Sequence, residues 1–268
     1  MTAGSRVSST RALTYTAYGP IESLVVSDVE PPRAGPGEVG VDVRRAALDP
    51  KDALFRKGRF AWLSGHRFPK RCGLDYAAAV PLVALTALQV LRDVARVTDG
   101  SRVWIHGASG GVGTVAIQIA RLLGARVTTT SSAANAARCV ALGAHEVLDY
   151  REDNTAAPHG RVDVVFDVFG NLGVGEIAGV FAGRGAFVST VPSAARFALD
   201  VVSRWSRIRQ RLVVVRARRA DLDTVGAWLA AGTLRAVIDG TYPLAEAHEA
   251  FRRLESKRAR GKLVIAVA

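Results

Sequence analysis

The chain has 268 residues, of which 49% are hydrophobic, and carries a formal charge of +12. That length holds one large or two modest domains with an ample core. No uninterrupted apolar run is long enough to span a bilayer, and MTAGSRVSST lacks the apolar centre of a signal peptide, so a soluble cytoplasmic protein is expected. Two isolated cysteines, Cys72 and Cys139, make neither a disulfide framework nor a zinc site. Arginine is abundant throughout and dense from Arg204 to Arg219, but no zinc-finger spacing or aromatic RNA-binding signature accompanies it, so no nucleic-acid partner is expected.

Residues 1–10 read as a disordered lead. Arg11 to Ala17 is strand-like, Tyr18-Gly19-Pro20 a turn, and Leu24 to Ser27 a second short strand. Val39, Val41 and Val43 alternate as a third strand would. Asp49 is a good N-cap with Pro50 at the first helical position, giving a helix to about Lys57 before Gly58. Arg59 to Arg71, aromatic and basic, reads as a loop lying over something, with His66 a surface or loop-packing histidine. Ala77 to Val97 is a long segment of helix formers around Pro81, and it leads without a linker into the strand at Val103.

VWIHGASGGVG, Val103 to Gly113, is the stretch that organises the chain. Apolar strand residues run into a small-residue turn, and Val112 to Leu123 repeats apolar residues at helical spacing. Gly110 and Gly113 hold the second and third glycine positions of a dinucleotide fingerprint, with Ala108 at the first. Gly110 lets the backbone approach a pyrophosphate, Gly113 lets helix and strand pack closely, and the first N–H groups of the helix face the anion. Gly124 stops the helix and Arg126 to Thr130 is the next strand, so the βαβ unit closes.

Strand and helix then alternate. A helix covers Ala133 to Leu142, a strand Glu146 to Tyr150, a strand Val162 to Val168, a helix near Gly173 to Phe181 and a strand Gly185 to Val191. A basic amphipathic helix from Ala194 to Arg207, a strand Leu212 to Val215 and a helix Ala220 to Ala231 follow. Such alternation means an α/β fold with a doubly wound parallel Rossmann sheet. The tail breaks the pattern with a short strand at Val237-Ile238, a helix from Leu244 to about Ser256 and a last strand from Lys262 to Val267 that could rejoin the N-terminal β-region.

About 20 residues past the turn, where a carboxylate would bind the ribose diol, stands Thr130, followed by Ser131 and Ser132. Hydroxyls, the next helix start and Arg138 could receive a 2′-phosphate, so NADPH is favoured over NADH. No histidine pair has ligand spacing, and no acid–base cluster stands out; Asp52, Asp75, Tyr76 and His66 are merely near in sequence. Hydride transfer to an activated alkene or quinone needs orientation more than a metal.

The chain resembles the zinc-free, quinone oxidoreductase-like branch of the medium-chain dehydrogenase/reductase superfamily. The matching stretches are YTAYGP, GPGEVGV, AALDPKD, GLDYA, AVPLVALTALQVL, the glycine turn, LGAHEVLDY and GKLVI, in order from end to end. The resemblance implies a GroES-like β-domain from residues 1–76 plus 237–268 and a Rossmann domain over 77–236. It implies NADPH held by Ser109, Gly110, Gly111 and Val112 at the pyrophosphate, and by Ser131, Ser132 and Tyr150, with Arg138, at the adenosine phosphate. Phe169, Gly170 and Val191 would flank the nicotinamide, and Thr86 would approach it.

Against that pattern, GLDYA runs straight into the AVPLVALTAL-like helix, so several barrel strands that wall the substrate pocket are missing. Asp49 also replaces the usual asparagine, and Gly40 a larger apolar residue. A truncated barrel exposes strand edges, so a homodimer or larger assembly is expected. The function implied is NADPH-dependent reduction of a conjugated carbonyl or quinone, a small molecule, as a biosynthetic tailoring step, with Asp52 or Tyr76 handling the proton. The alternatives are a redox-inactive relative doing cyclisation or isomerisation, and a non-catalytic binding protein.

Overall fold

The computed structural model describes residues 10–71, 80–152, 157–158, 161–191, 200 and 202–267. The chain divides into two compact units, Met1–Ala79 with Ile238–Ala268, and Val80–Val237. The segment expected as a disordered lead lies almost wholly outside the described residues, as do Cys72, Asp75 and Tyr76. No helix of the described residues is long and apolar enough to cross a membrane.

The first unit contains two three-stranded sheets. In one, β1 (Thr10–Tyr15) lies between β2 (Leu24–Val29) and β4 (Lys70–Arg71), antiparallel to both. In the other, β12 (Lys262–Ala266) lies between β11 (Ile238–Pro243) and β3 (Arg45–Leu48). The last strand does rejoin the N-terminal region, Leu263 opposite Leu48 in antiparallel register. Leu13, Tyr15, Leu24, Leu48, Phe251 and Ile265 share the unit's core, where α8 (Ala247–Glu255) contributes Phe251.

Helix α1 (Pro50–Arg56) starts as its sequence dictates. Pro50 fills the first position, and the Asp52 carboxylate accepts the Asp49 N–H at 2.8 Å. Arg56 at its last turn is fully buried and pairs with Glu255 of α8. Beneath α1, the Lys262 ammonium donates to the Leu48 carbonyl at 2.9 Å and meets Asp49 at 2.5 Å, both side chains nearly buried.

Two expectations for this unit are corrected. Val39, Val41 and Val43 form no strand; Val39 is 84% exposed, because none of the described strands lies beside it to complete a ladder. The strand lies later, at Arg45–Leu48. The stretch Arg59 to Arg71 is not wholly loop, since it holds α2 (Ala61–Ser64) and β4. It does lie over something: the His66 ring stands edge-on to Tyr18 at 5.5 Å, and Phe68 does so at 5.0 Å.

The second unit is a six-stranded parallel sheet in the order β10-β9-β8-β5-β6-β7. These strands are β5 (Arg102–His106), β6 (Arg126–Ser131), β7 (Glu146–Asp149), β8 (Val162–Asp167), β9 (Phe181–Ser189) and β10 (Ile208–Leu212). Along β5, Val103 and Ile105 enter one core and Trp104 the other, as a strand covered on both faces requires. Helix α3 (Pro81–Leu88) begins at its proline, continues as a π-helical segment through Val94, and packs on α4 (Gly111–Leu122). Helices α5 (Ala133–Ala141) and α7 (Arg219–Ala230) also form where expected, each followed by a positive-φ glycine, Gly143 or Gly232. The short α6 (Val174–Ile177) is succeeded by a 3₁₀ turn, and β9 starts at Phe181, earlier than expected, because Phe181 pairs with Val162 before a register shift. The last sheet strand is Ile208–Leu212, not Leu212 to Val215, since pairing with Gly185–Ser189 fixes its register. Most of the helix expected from Ala194 to Arg207 falls outside the described residues, and its end is a 3₁₀ turn, Ser203–Trp205, that gives way to β10.

Candidate coenzyme site

Every parallel strand ends on the same edge of the sheet, and the turn after β5 opens there. Because β6 leaves to one side of β5 and β8 lies on the other, this is the point where strand order reverses, the place where a crevice forms in an open α/β sheet. Gly110 caps α4 without any side-chain hydrogen bond, so the first N–H groups of the helix are left for another acceptor.

The two glycines of the turn differ in their reasons. A Cβ on Gly113 would stand 2.5 Å from the Gly107 carbonyl and 2.6 Å from Ala108, so helix and strand can meet only at glycine. A Cβ on Gly110 would meet nothing closer than the Gly107 carbonyl at 3.8 Å, and its φ of −82° suits any residue. Its smallness serves the open side of the turn, where a pyrophosphate needs backbone approach. The residues present fit a dinucleotide.

The adjacent Phe169 and Gly170 meet Val191, distant from them in sequence, at the ends of β8 and β9. Gly170 has φ +83°, and a Cβ there would lie 2.2 Å from Val191 Cγ2. Its N–H is held at 2.7 Å by Asp167, a fully buried carboxylate that also accepts the Leu172 N–H at 3.2 Å. Phe169 backs onto the glycine turn: a Cβ on Gly107 would be 3.1 Å from Phe169 Cβ. Phe169 and Val191 are each about half exposed, apolar surface fit for a planar ring.

His106, which sequence reasoning passed over, closes this group. Its Nε2 meets Asn171 Oδ1 at 2.9 Å and its ring stands edge-on to Phe169. Burial pushes its pKa down, so the ring is neutral at neutral pH. Its Nδ1 is buried with no hydrogen-bond partner, an unsatisfied atom beside the turn. The readable signal was its place at the last residue of the strand before the turn.

The residues expected around an adenosine phosphate lie at the ends of β6 and β7 and the start of α5. The Thr130 hydroxyl accepts the Trp104 indole N–H at 2.7 Å. Ser131 and Ser132 are buried, Ser131 donating to the Ser132 carbonyl and Ser132 accepting from Asn135. More telling, Asp149 at the end of β7 accepts the Ala133 N–H at 2.8 Å and the Arg151 N–H at 2.9 Å. A carboxylate thus stands at the start of α5, where sequence spacing from the turn had found no acid. Arg138 is exposed, and Tyr150 is half exposed with Arg151 over its ring. Thr86 is buried, its hydroxyl donating to the Leu82 carbonyl at 2.7 Å. Ser109, Gly111 and Val112 are partly exposed around the turn.

Asp52, the candidate proton carrier, is bound to the Asp49 N–H, and burial raises its pKa to about 6. Tyr76 lies outside the described residues. Among the described residues, no group of three or more His, Cys, Asp or Glu side chains is placed to hold a metal.

Fold and turn together define an α/β protein of the dinucleotide-binding type. The zinc-binding dehydrogenase family profile matches residues 142–265. A trans-enoyl reductase of Aspergillus terreus is 29% identical across 94% of this chain and 74% of its own length. The mitochondrial NAD(P)H oxidoreductase RTN4IP1 of Bos taurus is 30% identical across 86% of this chain and 67% of its own. Among solved structures, the quinone oxidoreductase of Coxiella burnetii superposes with a TM-score of 0.84 at 26% identity, covering 97% of this chain and 100% of that one. The chain belongs to the medium-chain dehydrogenase/reductase superfamily, in its quinone oxidoreductase-like branch. It is an enzyme of the oxidoreductase class, and its coenzyme is a nicotinamide dinucleotide.

Proposed function

We propose that the protein reduces a conjugated carbonyl compound or quinone with NADPH, without a metal, as a step in tailoring a biosynthetic product. The observation that carries this is the open Gly110 turn, ringed by His106, Phe169, Gly170 and Val191 at one edge of the sheet. The similarity to a trans-enoyl reductase supports an activated alkene as substrate. When bound, the coenzyme supplies the hydride. The chain contributes position: the α4 N–H groups hold the pyrophosphate, and Phe169 and Val191 orient the ring by contact. Asp52, poised near neutral pH, is the proposed proton carrier, with Tyr76 the second candidate.

For the phosphate of NADPH, Ser131, Ser132, Arg138 and Tyr150 are the proposed receptors, and Asp149 opposes it. The preference for NADPH over NADH is therefore small. A second copy of the chain is the proposed cover for the exposed Val25, Val39 and Val41 and for the free edges of the small sheets. The test is a fluorescence titration with NADPH and NADH, followed by absorbance at the reduced-coenzyme band with enones and quinones. Binding of both coenzymes with consumption on at least one enone or quinone is expected. No binding, or binding without consumption across the panel, refutes the reductase.

A further inference from the structure

A second site lies in the Rossmann unit at the opposite end of the sheet from the glycine turn. A cavity of about 480 Å³ is lined there by Arg96, Arg184, Arg207, Arg209, Asp163 and Trp205. Ser101, just before β5, also lines it, while His106 at the far end of β5 adjoins the turn. Five residue steps along the strand set the two about 16 Å apart.

The charge in this cavity is unbalanced. Its one acid among the described residues, Asp163, is taken up by Arg102, whose Nη2 and Nε donate at 2.9 and 3.2 Å and whose backbone N–H donates at 2.9 Å. Among the described residues, the guanidinium groups of Arg96, Arg184, Arg207 and Arg209 have neither an ion pair nor a hydrogen-bond partner. Arg207 and Arg209 reach the cavity together because Ile208 between them turns to the Trp104 and Phe187 core.

Arg96 adds an independent observation. It has φ +56° just past the π-helical segment, a position where glycine is the ordinary choice and a side chain is strained. The strained residue places an arginine in the cavity. At the rim, Trp205 is 86% exposed, its indole open to solvent.

We propose that this cavity binds a nucleoside triphosphate, separately from the coenzyme turn. Arginine forks match phosphate oxygens, an exposed indole stacks on a base, and the volume is that of a small-ligand site. Bound there, the nucleotide contacts the amino ends of β8, β9 and β10, and the carboxyl ends of β8 and β9 carry the candidate coenzyme residues Phe169, Gly170 and Val191, so the site is a place for regulation.

The test is calorimetric titration of the full chain with ATP and with inorganic triphosphate in magnesium-free buffer. ATP should bind the wild type and Gly110→Ala alike and bind R207A/R209A at least tenfold more weakly. Trp205→Ala should lose about tenfold for ATP and nothing for inorganic triphosphate. Arg96→Gly relieves the backbone strain, so it should raise Tm by about 2 °C while weakening ATP severalfold. The proposal is overturned if ATP binding survives R207A/R209A, if it is lost in Gly110→Ala, or if a single-stranded oligonucleotide outcompetes ATP.

Discussion

The two glycines of the turn give the sharpest test of the coenzyme site, because one serves the fold and the other the ligand. Gly113→Ala puts a methyl group 2.5 Å from the Gly107 carbonyl and 2.6 Å from two Ala108 atoms, all backbone. Strand and helix must separate, an overpacking cost of about 2–3 kcal/mol. In a chain of this size that lowers Tm by about 5 °C. Gly110→Ala meets only one atom, at 3.8 Å, with φ −82° and ψ −179°. Loss of chain entropy in the unfolded state and the weaker N-cap of alanine nearly cancel, leaving stability within about 0.5 kcal/mol. Its methyl group nevertheless enters the space a pyrophosphate needs, so coenzyme affinity should fall at least tenfold. The assay pairs thermal melts without coenzyme with NADPH and NADH titrations of the folded variants. If Gly110→Ala binds coenzyme like the wild type, the turn is not the pyrophosphate site. A Gly110→Ala variant destabilised as much as Gly113→Ala would show that both glycines are merely structural.

Asp149→Asn keeps an acceptor for α5 but removes the charge, and near a phosphate that charge is worth about 1 kcal/mol, or fivefold. NADPH should bind about fivefold more tightly while NADH changes little; equal shifts for both would mean Asp149 acts only as a cap. Asp52 offers a pH test. Its folded pKa of about 6 lies above the usual carboxylate value, so its protonated form stabilises the fold at acid pH, and that contribution is lost as the pH rises through about 6. Asp52→Asn escapes this loss and should gain on the wild type by at most about 3 kcal/mol between pH 4 and 7 in denaturant melts. A difference that stays constant with pH would refute the assignment.

Much of the coenzyme unit was legible because its signals are local. Strand, turn and helix from Val103 to Leu123 are neighbours along the chain, and the Gly113 contact follows from that adjacency alone. The alternation after it fixed a parallel sheet, and three of the residues the resemblance named, Phe169, Gly170 and Val191, lie together at the ends of β8 and β9. Local pattern erred where pairing decides: Val39 to Val43 alternates like a strand but none of the described strands pairs with it, and Leu212 to Val215 lost its place to the register of β9.

What the sequence by itself determined, then, was the βαβ unit, the family and the helix start at Asp49, since each rests on residues within a few positions of one another. Tertiary structure alone decided the rest. It carried Asp149 from the end of β7 to the start of α5, set Lys262 against Asp49 across the length of the chain, and left His106 Nδ1 without a partner. It also grouped arginines from separate segments in one cavity. These are meetings between distant segments, and their charge and burial exist only once the sheets have closed.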